Sequence, residues 1–255
     1  MINLQKTSGI SILYDETNKR LISPALLMKS PNVRTIEQMR NVLIKKEALN
    51  PKELYYMYRG VCFEKDLLTF QKNKISYDIT VIPSAIVGNE FVKTLGHYHQ
   101  HYNIQLSYPE VYEVLSGEAV YLMQREDLKD IIVCRAKEGD KVVIPPNYGH
   151  ITINASRKDL VMANLVSTAF KSNYEPIVQR EGAAYYLINE QGVEKFVKNI
   201  RYHGTPRPRE IDPDYLKPKN LDLTRDPIYV EFIKNPKIYE FLSKPDIIYY
   251  ETQRT

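Results

Sequence analysis

The 255-residue chain has no tryptophan, only two cysteines, and neither a basic nor an acidic block. Cys62 and Cys134 lie far apart in no C-x-x-C arrangement, which argues against a disulfide or a thiol nucleophile and reads as two buried thiols in a reducing compartment. A net charge of +4 without a Lys/Arg cluster is no footprint for nucleic acid, although it suits a small anionic substrate. No apolar run is long enough to span a bilayer and no signal peptide opens the chain, so a cytoplasmic protein without a membrane partner is expected. Tyrosine is plentiful instead: 20 residues, within an ordinary globular balance of 43% hydrophobic and 26% charged residues.

The chain changes character twice. Residues 11–22 read as a hairpin turned at Asp15-Glu16-Thr17-Asn18, and 35–49 as a helix with Ile36, Met39, Leu43 and Ala48 near helical spacing, ended by Asn50-Pro51. From Ile75 the pattern becomes short β-rich runs broken by Gly and Pro: 75–86, 90–98, 110–115, 119–125, 131–136, 141–144, 149–154 and 160–167. Strands at that spacing point to a sandwich or barrel. Residues 182–198 add a strand pair turned at Asn189-Glu190-Gln191-Gly192. Beyond Arg201, where seven of the 15 prolines fall, residues 202–220 are expected to be irregular and 227–242 helical.

Chemistry concentrates in the middle. In Gly96-His97-Tyr98-His99 the two imidazoles stand at i and i+2, on one face of a strand. Glu110 opens a later strand, with Tyr112 and Val114 sharing its orientation while Val111, Glu113 and Leu115 face the other way. His150 follows the rigid Pro145-Pro146 pair. One strand histidine is ordinarily structural. Three imidazoles and a carboxylate converging inside a rolled sheet make a site for one divalent metal ion, with Fe, Mn, Ni and Zn all compatible. His101 shares parity with His97 and His99 and is a rival ligand if the strand runs on; otherwise residues 100–109 form an enlarged loop.

The intervals Glu110 to Gly117, Gly139 to Pro145, Pro145 to His150 and His150 to Asn154 match the two cupin motifs, except that Asn147 stands where glycine is usual and Gly149 follows. The chain therefore resembles a cupin: mainly β, a double-stranded β-helix or jelly-roll barrel. The expected organisation is an α/β N-terminal extension over 1–74, a barrel core over 75–200 and an irregular, Pro-rich C-terminal extension over 201–255, in one compact domain.

Longer runs carry a more specific likeness. Tyr77-Asp78-Ile79-Thr80-Val81-Ile82-Pro83, Gly88-Asn89-Glu90-Phe91-Val92-Lys93-Thr94-Leu95-Gly96-His97-Tyr98-His99, Pro109-Glu110-Val111-Tyr112-Glu113-Val114-Leu115-Ser116-Gly117 and Ile144-Pro145-Pro146-Asn147-Tyr148-Gly149-His150-Ile151-Thr152-Ile153-Asn154 resemble the cupin-type phosphoglucose isomerases of archaea and some bacteria. That resemblance implies interconversion of glucose 6-phosphate and fructose 6-phosphate by a homodimer with one divalent ion per subunit. It implies His97, His99, Glu110 and His150 as ligands, Glu110 also as the catalytic base, Thr80, Thr94 and Gly96 around the phosphate, and Tyr112 near the sugar. Strand parity turns Thr94 and Gly96 away from His97 unless Gly96 marks a bulge. Compact relatives carry an aromatic and a histidine after the second motif, where this chain has Val166 and Ser172, with Tyr174 nearby. A cupin Fe(II) dioxygenase, a non-catalytic sugar-phosphate-binding cupin and another phosphosugar isomerase or epimerase share these features.

Overall fold

The structure, a computed structural model, describes residues 1–219 and 223–247. The N-terminal strands are β1 (Ile2–Asn3), β2 (Leu13–Asp15), β3 (Arg20–Ile22), β4 (Asn32–Thr35) and β5 (Glu53–Tyr58). The central ones are β6 (Ile75–Ile82), β7 (Ile86–Val87), β8 (Glu90–Phe91), β9 (Glu110–Ser116), β10 (Glu118–Arg125), β11 (Ile131–Lys137), β12 (Lys141–Ile144), β13 (Tyr148–Ile153) and β14 (Leu160–Ser167). β15 (Tyr185–Glu190), β16 (Val193–Lys198) and β17 (Arg209–Glu210) follow. Helices are short: α1 (Gln5–Ser8), α2 (Ile36–Met39), α3 (Leu67–Asn73), α4 (Glu175–Gln179) and α5 (Ile228–Lys234).

Two sheets enclose the site. One has six strands in the order β12-β9-β14-β6-β5-β4, the other four in the order β13-β10-β11-β17. Every pairing in them is antiparallel except β11 with β17. Alternation along the strands sends Tyr112, Val114, Val142, Ile144 and Met162 inward to meet Tyr121, Met123, Ile132 and Cys134 of the opposite sheet. This is the mainly β jelly-roll architecture of a cupin.

The outward residues are buried too. Val111, Leu115, Val161, Ala163, Tyr77 and Ile79 pack beneath β1–β3 and the C-terminal Ile228, Phe232, Tyr239 and Phe241. Val120, Leu122, Val133 and Ile151 pack against Ala184, Leu187 and Tyr202. Sheets buried on both faces read as near-continuous apolar runs, which is why 160–165, Leu-Val-Met-Ala-Asn-Leu, shows so little polar alternation.

Several expected elements take a different course. The helix over 35–49 stops at Met39, followed by a 3₁₀ turn over Arg40–Val42. It starts well, with Thr35 and Gln38 forming a capping box. It ends because its next polar groups go elsewhere: the Val42 carbonyl accepts from Lys93 Nζ and the Ile44 N–H donates to Glu90. The run 75–86 divides at Pro83 into β6 and β7. The strand over 90–98 is regular only in β8 and continues as single bridges. In the tail, 227–242 divides at Pro236 into α5 and a 3₁₀ segment, Pro236–Leu242, since proline cannot donate the next helical bond. Residues 202–219 are less loose than expected, because Tyr202 and Leu216 are buried and β17 pairs with β11; Asn220 lies outside the described residues.

Candidate metal centre

Four donor groups meet between the two sheets. One ligand atom from each of His97, His99, Glu110 and His150 lies within 4.8 Å of the other three. His97 and His99 present their Nε2 atoms 3.1 Å apart. The Nε2 atoms of His99 and His150 lie 3.3 and 3.2 Å from Glu110 Oε2. His99 Nδ1 lies 2.7 Å from the Tyr108 carbonyl. A carbonyl only accepts, so Nδ1 carries the proton and Nε2 turns a lone pair toward the cluster.

The electrostatics fit a cation. Burial first, then the neighbouring His150 and His99, hold His97 well below its ordinary range, so it is neutral at neutral pH. Burial also lowers His150. Burial works to raise the Glu110 carboxyl, but His150 and His99 outweigh it and hold it well below the usual carboxylate range. Glu110 Oε1 accepts from Asn164 Nδ2 at 2.7 Å, whereas Oε2 is buried with no hydrogen-bond donor. A buried carboxylate among imidazoles needs a positive charge beside it, supplied either by protons on the rings or by a cation held between them. The donor set, three imidazoles and a carboxylate, is compatible with a divalent metal ion.

A bulge places the remaining groups. Lys93 pairs with Ile153 but His97 pairs with His150, so one strand holds a residue more than its partner over this stretch. Gly96 absorbs it at φ +79°, and a Cβ there would stand 2.3 Å from Ile151 Cγ1. The slip brings Thr94, Gly96 and His97 together on one cavity, which Thr80, Glu110 and Tyr112 also line. The Tyr112 hydroxyl lies 3.2 Å from His150 Nε2. Val166, Ser172 and Tyr174 line the same cavity.

His101 does not join the cluster. It is exposed and paired with Glu126 at 2.9 Å, on a loop containing only the bridge His101–Ser107. Asn147 explains both that loop's anchoring and the displaced glycine. It adopts φ +69°, which asparagine tolerates, and its side chain accepts from Ser107 N–H at 2.7 Å and donates to the Gln105 carbonyl at 2.7 Å.

Sequence reasoning missed Asn164, Arg59, Tyr55 and the aromatic support of His99. Phe170 packs 4.5 Å from the His99 ring and stacks on Tyr108 at 4.9 Å. Asn164 left a signal, a lone amide inside an apolar strand. Arg59 and Tyr55 stand in the run Leu54-Tyr55-Tyr56-Met57-Tyr58-Arg59-Gly60, which also looks like longer family members but marks neither residue for the site. Arg59 lines the cavity, with its guanidinium held by Asp78 at 2.6 Å.

Comparison with known proteins adds a family. Residues 32–204 match the family described as glucose-6-phosphate isomerase (GPI). The chain is 26% identical over 163 residues to a glucose-6-phosphate isomerase from Thermococcus litoralis, covering 63% of this chain and 82% of that protein. Among solved structures it is similar to an oxalate oxidase, at 15% identity and a TM-score of 0.33, covering 41% of this chain and 47% of that one. It is also similar to the 7S globulin of Momordica charantia, at 14% identity and a TM-score of 0.37, covering 59% of this chain and 37% of that one. The chain thus spans less than half the length of these two structures.

Proposed function

The chain belongs to the glucose-6-phosphate isomerase family, and from that premise we propose that it interconverts glucose 6-phosphate and fructose 6-phosphate with one divalent ion held by His97, His99, Glu110 and His150. The observation that carries this reading is the convergence of those four donors around a Glu110 oxygen with no donor of its own. A bound ion would supply Lewis-acid polarisation of the sugar oxygens at C1 and C2.

The chain's own groups supply the rest. Glu110 takes the proton from one of these carbons and returns it to the other on the same face of a cis-enediol, while the hydroxyl proton on one of the two sugar oxygens passes to the other. Asn164, donating to Oε1, fixes the plane of the carboxylate. Tyr112 donates to a sugar hydroxyl. Thr80, Thr94 and the Gly96 backbone receive the phosphate, and Tyr55, Leu95 and Met162 exclude water from the cavity wall. The resemblance also implies a homodimer, which sedimentation of the purified protein checks.

The test is a coupled assay on protein stripped with a chelator, with Fe, Mn, Ni or Zn restored singly. Stripped protein should be inactive and at least one ion should restore conversion under strict anaerobiosis. Full turnover in verifiably metal-free protein would refute the metal role, and oxygen uptake in step with turnover would favour the dioxygenase.

A further inference from the structure

Among the described residues, one cation beside the cavity has no carboxylate partner. Arg34 lies on β4 directly opposite Tyr55 of β5, so the two side chains share a face of the six-stranded sheet. Its guanidinium carbon lies 6.0 Å from the Tyr55 ring and 5.9 Å from the Tyr174 ring, and both rings line the cavity. Tyr174 in turn lies 5.4 Å from the His97 ring, so a single aromatic ring separates Arg34 from the metal cluster. The Tyr55 hydroxyl accepts from Leu95 N–H at 3.1 Å, tying this wall to the bulge that carries Thr94 and Gly96.

Among the described residues Arg34 Nε is buried without a hydrogen-bond partner, and the side chain's polar contact is with the Tyr55 hydroxyl, not with a carboxylate. Arg59, the other arginine at this site, is committed to Asp78. A sealed guanidinium N–H with no acceptor is costly. A phosphate dianion is the acceptor whose charge and shape match the planar fork.

We propose that Arg34, at the seam between Tyr55 and Tyr174, is the cation that anchors the phosphate group of the substrate. The inference rests on the phosphohexose reading above and adds to it a residue from the N-terminal strands. It also accounts for a barrel segment that offers Val166 and Ser172 to the cavity and no cationic side chain.

Arg34→Met keeps most of the stem and removes the charge; Arg34→Lys keeps the charge and loses the fork. Steady-state kinetics with fructose 6-phosphate are measured together with direct titration of inorganic phosphate into the metal-loaded protein. Arg34→Met should raise KM and weaken phosphate binding in parallel, each by about tenfold to a hundredfold, with kcat little changed. Arg34→Lys should fall between the two. Unchanged phosphate affinity in either folded variant would overturn the proposal and leave Arg34 as a prop for two tyrosine rings. Wild-type protein that binds phosphate through Arg34 but isomerises nothing would sink the isomerase reading alone. Turnover with phosphate binding indifferent to Arg34 would sink this one alone.

Discussion

Glu110 and Glu113 stand three residues apart on β9, both buried, and point into opposite worlds. Glu110 faces inward among imidazoles, held low, with one oxygen lacking a donor. Glu113 faces outward under the C-terminal segment, where its Oε2 accepts the Ile228 N–H at 3.0 Å. There burial dominates and pushes the carboxyl up from 4.5 to about 8, against the lowering pull of the Ile228 N–H and Lys141. Around it, Lys141 Nζ pairs with Glu231 at 2.9 Å, and the Tyr239 hydroxyl donates to the same Glu231 oxygen at 2.5 Å. Burial of a carboxyl group therefore does not distinguish a functional site from a structural clasp. What distinguishes them is whether the charge is completed by the protein's own groups.

The comparison can be broken by substitution. Glu110→Gln should cut turnover by about 10²–10⁴-fold and lower bound metal, while thermal melting of the metal-free protein stays close to that of the parent; metal analysis alongside the coupled assay reads both. Lys141→Met should do the reverse. Leaving Glu231 buried and unpaired costs about 3–5 kcal/mol in denaturant unfolding, while kcat per folded molecule and metal content are retained. Loss of metal binding in Lys141→Met, or normal activity in Glu110→Gln, would erase the distinction.

Glu113→Gln gives a smaller and pH-dependent effect. The folded state raises this carboxyl, so its contribution is complete below its unfolded value and is lost as pH rises through about 8. The parent should lose stability between pH 5 and 9, and Glu113→Gln should flatten that decline. At pH 9 the variant should melt higher, by about 2–4 °C per kcal/mol relieved. Asn164→Leu is the finest probe. It should lower kcat by about tenfold, from one lost hydrogen bond to a charged group, with metal content unchanged.

Much of this contrast was readable in the sequence. Strand parity alone separates Glu110, Tyr112 and Val114 from Val111, Glu113 and Leu115, and the spacing of His97, His99, Glu110 and His150 identified the residues that converge. Most barrel strands, such as 141–144 and 160–167, needed only alternation and flanking turns. The short α2 was not readable, because Glu90 and Lys93, some fifty residues away, capture the polar groups that would have extended it. Nor was the bulge, since a register slip exists only relative to a partner strand. Asn164 reaches the cavity, and Arg34 the wall behind it, through pairings with Tyr112 and Tyr55, contacts that no local window contains.

The extra residue between Lys93 and His97 sets one wall of the cavity through the main chain: covalent bonds and cross-strand pairing, with no dependence on rotamers, hold Thr94 and Gly96 beside His97. A one-residue deletion there would undo that placement while leaving the four clustered donors in the protein.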